Sequence, residues 1–189
     1  MANRSTSSSH PAVISRVRSA SGPLRRDPAL RRAQVLSALR ERDEDLAFLA
    51  QLTSMGVKPL SRFERPLSDS LRSELAALGL CVASCSRRTE AGGIVEETIF
   101  SRHGALLEIY RGAFLGQSLR LTPELGRLEG YLFGFPPCCV AAYIKRPYAP
   151  NSLAREDQAT LFHWACEGCT ITPRLLPHYR GVLEEVRGA

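Results

Sequence analysis

Two short stretches of the chain concentrate residue types that bind metals or exchange electrons. "GFPPCCVAAYIKRP" sets Cys138 beside Cys139 directly behind Pro136 and Pro137, and "LFHWACEGCTITP" carries His163, Cys166 and Cys169 in the order His-x-x-Cys-x-x-Cys. A Cys-x-x-Cys pair lets two thiolates reach one ion from a single turn of chain, which is why the spacing recurs in zinc and iron–sulfur sites. His163 precedes Cys166 by three residues, so the two share a face if the segment is helical. The double proline places Cys138 and Cys139 in the first turn of a helix, where free backbone N–H groups and the helix dipole favour a thiolate. Neighbouring residues on a helix point about 100° apart. That angle argues for one of the adjacent cysteines as a ligand, with the other packing, hydrogen-bonding or serving a cluster. The expected centre is zinc or an iron–sulfur cluster, held by Cys138 or Cys139 with Cys166, Cys169 and, as a further candidate, His163.

Other readings of the same residues stay open. Cys166 and Cys169 could exchange thiol for disulfide. Thioredoxin-like sites, however, place the motif at the start of a helix, whereas "ATLFHWAC" reads as a helix that ends there. Cysteine is also among the most frequently buried residue types, so an inert core role competes. The succession of "GFPPCC" and "HWACEGC" resembles a prokaryotic domain family of unknown function, whose members carry Gly–aromatic–Pro–x–Cys–Cys followed by His-x-x-Cys-x-x-Cys. The likeness spans about residues 126–180, with Ala165 where the family has proline. It implies Cys138, Cys139, His163, Cys166 and Cys169 as shared residues and implies no activity.

Charge narrows the partners. The chain carries 25 Lys and Arg against 19 Asp and Glu, a net charge of +6. All of that excess lies in residues 1–32, where seven arginines accompany one acid, Asp27; the remaining 157 residues hold 18 side chains of each sign. The body has no net pull on phosphate, so nucleic-acid or adaptor binding would run through the arm. The segment "AAYIKRPYAP", with Tyr143, Lys145, Arg146 and Tyr148, reads as a helix end followed by a proline-rich turn. Arginine outnumbers lysine 23 to 2, a bias that a GC-rich genome explains. No run approaches the roughly 18 apolar residues of a membrane span. The absence of an apolar secretory core near residues 1–20 points to the cytoplasm, although the Ser/Arg composition also has the character of an organellar import signal. A Gly-x-Ser-x-Gly elbow, a phosphate-binding glycine loop and a His-Glu-x-x-His motif are all missing from the sequence, which leaves enzyme and non-enzyme both open.

The elements that must position the cysteines follow from periodicity and caps. Residues 1–26 form a Ser/Arg-rich basic arm whose composition predicts disorder. Asp27-Pro28 is a cap-and-proline helix start, and apolar spacing predicts helix up to Met55, split at "RERDED". A second helix is expected over 70–78, capped by Asp69. "LCVASCSR", "IVEETIFS" and "ALLEIYR" read as strands separated by glycine-containing gaps. Helices are expected again over 123–133, 138–145, 153–164 and 174–187. The prediction is a single α+β domain over 27–189: helical over 27–79, a small antiparallel meander over 80–112, and a helical Cys/His region over 122–189. Within it, Cys81 and Cys85 are read as core, Glu96, Glu97 and Glu108 as a solvated face, and Glu129 as a residue able to touch the ligands. His103 and His178 read as turn or surface residues, and Trp164 as a shield for the site or part of the core.

Overall fold

The computed structural model describes residues 27–189, so the arm at 1–26, with the disorder and nucleic-acid contact assigned to it, lies outside the described residues. Asp27 caps the first helix by accepting from the Ala29 N–H, and Pro28 fills its first position. This helix, α1 (Pro28–Arg42), stops at Asp43, whose extended backbone (φ −166°) breaks the ladder while its carboxylate accepts from the Leu46 N–H. The same residue therefore starts α2 (Glu44–Ser54). The expected split within the charged run comes from one side chain acting as a cap.

The next element departs from the sequence reading. Residues 27–79 are not wholly helical: "LSRF" forms a short strand, β1 (Leu60–Phe63), before α3 (Asp69–Ala77). Ser68, not Asp69, caps α3 through the Leu71 N–H. β2 (Cys81–Arg88) and β3 (Ile94–Ser101) form the expected antiparallel hairpin. The third strand is β1, paired antiparallel with β3, giving the order β1-β3-β2. "ALLEIYR" belongs instead to α4 (Gly104–Phe114). Its apolar residues Leu107, Tyr110 and Phe114 are buried at helical spacing, and that periodicity outweighs the strand preference of Ile and Tyr. The fold is α+β, a small antiparallel sheet flanked by helices.

The sheet has two apolar faces because neighbouring residues in a strand point to opposite sides. Phe63, Leu80 and Phe100 join Leu39, Leu46 and Leu75 of α1–α3 on one face. Leu60, Cys85 and Ile99 meet Leu107, Tyr110 and Phe114 on the other, together with Leu132 of α5 (Pro123–Leu132). Cys85 is thus core, as read, but Cys81 is exposed. It starts its strand, beyond the cover that α4 provides. Glu96 is exposed but Glu97 is only 2% exposed. It faces the α4–α5 side, where Arg87, itself 1% exposed, and Arg62 approach within 3.9 and 3.7 Å. Glu129 of α5 accepts from Arg62 at 2.8 Å, from Arg87 at 3.1 Å and from the Tyr110 hydroxyl at 3.0 Å. It therefore ties α5 to the sheet and does not touch the cysteines.

A third cluster packs Phe48 and Leu52 of α2 against Leu176, Tyr179 and Val182 of α8 (Thr172–Gly188). Between α5 and α8 lie α6 (Pro137–Lys145) and the five-residue α7 (Arg155–Ala159). The expected helix over 153–164 shrinks to α7, leaving His163, Cys166 and Cys169 in irregular chain. Asn151 and Gln158 bond each other, and Gln158 also contacts the chain at 163 and 165, so side chains replace the missing helical ladder. No helix of the described residues is long and apolar enough to cross a membrane.

The α5–α6 contact sets where the first two cysteines stand. A Cβ on Gly130 would lie 2.4 Å from Val140 Cγ2 and 3.3 Å from Val140 Cβ, so α6 rests on α5 at a position only glycine allows. Gly130→Ala should cost about 1–3 kcal/mol, as overpacking does, and adding Val140→Ala should recover most of the loss. Thermal unfolding of the single and double variants checks this.

Candidate metal centre

Cys138 and Cys139 sit in the first turn of α6, with Pro136 preceding the helix and Pro137 opening it. Cys166 and Cys169 flank a tight turn in which the Cys169 N–H donates to the Cys166 carbonyl at 3.2 Å. Gly168 occupies the left-handed region there (φ +64°), a conformation that suits glycine. Cys169 stands three residues before Thr172, whose backbone N–H donates to its sulfur at 3.3 Å. Two helix N-termini, those of α6 and α8, therefore meet at one point, and the cysteines occupy it.

The four sulfurs lie within 4.8 Å of one another. Individual separations are 4.0 Å for Cys138–Cys139, 3.8 Å for Cys138–Cys169, 3.8 Å for Cys139–Cys166 and 3.4 Å for Cys139–Cys169. The proline-led pair and the Cys-x-x-Cys motif thus form one group able to hold a metal ion. Both adjacent cysteines point into it. The roughly 100° between successive helical residues, which argues for a single ligand from the pair, does not keep the two sulfurs apart: they lie 4.0 Å from each other.

His163 is not one of this group. Its Nε2 lies 3.0 Å from Thr172 Oγ1, which in turn lies 3.4 Å from Cys139 Sγ and 3.3 Å from Cys169 Sγ. The imidazole is one hydroxyl removed from the sulfurs. Burial, and then the positive charge of Lys58, lower its pKa to about 4, so the ring is neutral. Trp164 donates from Nε1 to the Ala149 carbonyl and meets Tyr148 edge-on, with ring centroids 5.5 Å apart. It pins the 147–164 segment beside the centre. His178 and His103 are exposed.

The sulfurs are not equivalent. Burial raises the Cys139 thiol and, together with hydrogen-bond sharing with Cys139 and Cys138, raises that of Cys166 to about 12. Burial acts the same way on Cys169, but hydrogen bonds from the Thr172 side chain and backbone outweigh it and bring this thiol down to about 6. The centre therefore holds one ready thiolate at Cys169, and proton loss from Cys139 and Cys166 is favoured by a positive charge among the sulfurs. Thr172 is the residue that sequence reading missed. Thr172 opens α8 and is not its cap, which is Ile171, so no local signal marks its hydroxyl as a partner of the sulfurs.

The redox reading also changes. The Cys-x-x-Cys motif does not end a helix; it precedes α8, and the low Cys169 pKa follows from that placement. Compared with known proteins, the chain matches no family model, no curated protein and no solved structure. Thr172→Val, which keeps the shape and removes the hydroxyl, should shift the pH midpoint of Cys169 alkylation in metal-free protein upward from about 6 toward the ordinary thiol range. Iodoacetamide rates followed by peptide mass spectrometry measure the midpoint.

Proposed function

We propose that the chain is a zinc protein in which Cys138, Cys139, Cys166 and Cys169 fill all four positions of one ion. The observation that carries this reading is the sulfur spacing. Bonds of about 2.3 Å in a tetrahedron imply ligand separations near 3.8 Å; four of the six sulfur separations run from 3.4 to 4.0 Å, and all six lie within 4.8 Å. A multinuclear iron–sulfur cluster attaches its cysteines to different irons and so needs sulfurs set wider than a single ion does. That spacing supports zinc over a cluster.

With four protein ligands no position stays open for water, so the role of the ion is structural. It would join α6 to the turn before α8. The helix N-termini and the N–H groups of Cys166 and Thr172 offset part of the negative charge that four thiolates place on a divalent ion. In this reading His163 orients Thr172 and is not a ligand.

Thiol–disulfide exchange is the second reading, favoured by the low pKa of Cys169 and its place ahead of α8. Metal analysis separates the two. Protein purified without chelator should contain one zinc per chain and no labile sulfide, and cobalt substitution should give the intense visible bands of a tetrahedral thiolate site. A disulfide between Cys166 and Cys169 in metal-free protein purified under both aerobic and anaerobic conditions would instead establish the redox reading.

Two expectations follow from the ligand set. Cys139→Ser should abolish stoichiometric zinc, whereas His163→Ala should retain one zinc per chain, because the imidazole acts through Thr172. Zinc removal by chelator should lower the unfolding temperature by about 10 °C or more, since a tight ligand of the folded state stabilises it by mass action. Inductively coupled plasma analysis and calorimetry read the two outcomes.

A further inference from the structure

A groove of about 1580 Å³ runs beside the centre, walled by Phe133, Phe135, Val140, Ile144, Leu161 and Phe162. One of its lining residues is Lys58, which is 2% exposed. The Lys58 Nζ donates to the Phe133 carbonyl at 3.0 Å and lies 4.4 Å from the Phe135 ring centroid, 5.6 Å from that of Phe133 and 5.7 Å from that of Phe162. Among the described residues no carboxylate pairs with it. The nearby acids, Glu97 and Glu129, are taken by Arg62 and Arg87. His163 lines the same groove, and its Nδ1 is buried without a partner.

We propose that Lys58 is a nucleophilic amine that takes a small aldehyde or ketone with an apolar or aromatic body, bound in this groove, as an imine. Three observations support it. An ammonium buried among rings with no counter-charge is costly, and burial, followed by the positive charge of Arg62, lowers this amine to about 7. The walls are aromatic and aliphatic, which suits an apolar body. The chain also uses arginine for 23 of its 25 cations, yet the cation at this position is the type that can lose its proton. Arg62 and His163 are the titratable neighbours that face the amine through its charge.

The chemistry balances without a cofactor. The Nζ lone pair attacks the carbonyl carbon as the C=O π pair moves to oxygen. A proton passes from nitrogen to that oxygen, and the carbinolamine then loses water to leave a C=N bond. No electrons are gained or lost by the pair, and the step does not involve the metal.

Lys58 and Lys145 are the only lysines in the chain, and Lys145 is exposed at the end of α6, so each chain carries its own control. The full-length, metal-replete protein is treated with benzaldehyde and sodium cyanoborohydride, the reductant that converts the imine to a stable benzylamine, at pH 7, and is mapped by peptide mass spectrometry. Lys58 should be benzylated at least tenfold faster than Lys145, with its rate rising toward a plateau above about pH 7. Benzyl alcohol, which fills the groove without reacting, should slow labelling of Lys58 several-fold and leave Lys145 unchanged. Lys58→Arg should lose the label at that peptide only. Labelling of Lys58 no faster than Lys145 in the wild-type chain overturns the proposal whether or not the variant folds, and shows that the amine serves only the Phe133 carbonyl. Fast labelling that benzyl alcohol does not slow overturns binding in the groove.

Discussion

Four sulfur atoms within 4.8 Å of each other are the constraint on which the C-terminal half of this molecule depends. As thiolates they repel; as thiols they bond weakly and fix little. The chain around them supplies what partial compensation a backbone can, two helix N-termini and the N–H groups of Cys166 and Thr172. A cation among the sulfurs would supply the rest of the balance. Between Cys139 and Cys166 run 26 residues, of which only the rest of α6 and the five-residue α7 are regular. Such a segment has few backbone ladders to hold it, so closing its two ends matters. By the chain-entropy relation for a covalently closed loop of this length, the closure is worth about 3.5 kcal/mol. An ion that tied both ends would place that contribution where backbone ladders are few.

The sheet and its helices give the centre a fixed base. α5 is held to the sheet by Glu129, whose carboxylate receives Arg62, Arg87 and Tyr110. α6 is then held to α5 at Gly130, where Val140 comes too near for any side chain. On the other side α8 is fixed to α2 through Phe48, Leu52 and Tyr179. Each pair of sulfurs thus arrives on a helix start anchored to a different apolar cluster. A buried ion network such as Glu97–Arg62–Arg87 contributes little net stability against an apolar substitute. It does specify how α5 sits on the strands, and through α6 where Cys138 and Cys139 stand.

Much of this was legible in the residues themselves. Asp27-Pro28, Thr122-Pro123 and Pro136-Pro137 mark helix starts by chemistry that is local, and the structure has helices beginning at each. The meeting of the proline-led pair with Cys166 and Cys169 could be inferred because cysteines at metal-ligand spacing have few other reasons to cluster. What sequence could not show depended on distant partners. "LSRF" is too short to announce a strand and becomes one only because β3 presents an open edge. "ALLEIYR" has strand-favouring residues, but its burial at Leu107, Tyr110 and Phe114 is decided by the sheet face above it. Glu97 reads as solvated because nothing local reveals that Arg62 and Arg87 come from elsewhere to meet it. His163 was grouped with the ligands by spacing, yet Thr172, three residues beyond Cys169, stands between its ring and the sulfurs.

The centre and the groove share a wall, which bears on how the two relate. Lys58 sits over the Phe135 ring, Phe135 packs on His163 at 5.2 Å between centroids, and His163 meets Thr172, which contacts two of the sulfurs. Every link is a packed or hydrogen-bonded contact between buried or half-buried side chains, and packed interiors transmit small displacements. The Thr172 hydroxyl has one proton. Donated to a thiolate, it leaves the oxygen to accept from His163 Nε2–H, with the buried Nδ1 then an unpartnered acceptor. With the sulfurs protonated, the hydroxyl is free to donate to His163 Nε2 instead. The hydrogen bonds on the sulfurs and on His163 are thus linked through one hydroxyl, and His163 is among the residues that line the groove. An ion held by the four sulfurs would fix the wall that the centre and the groove share.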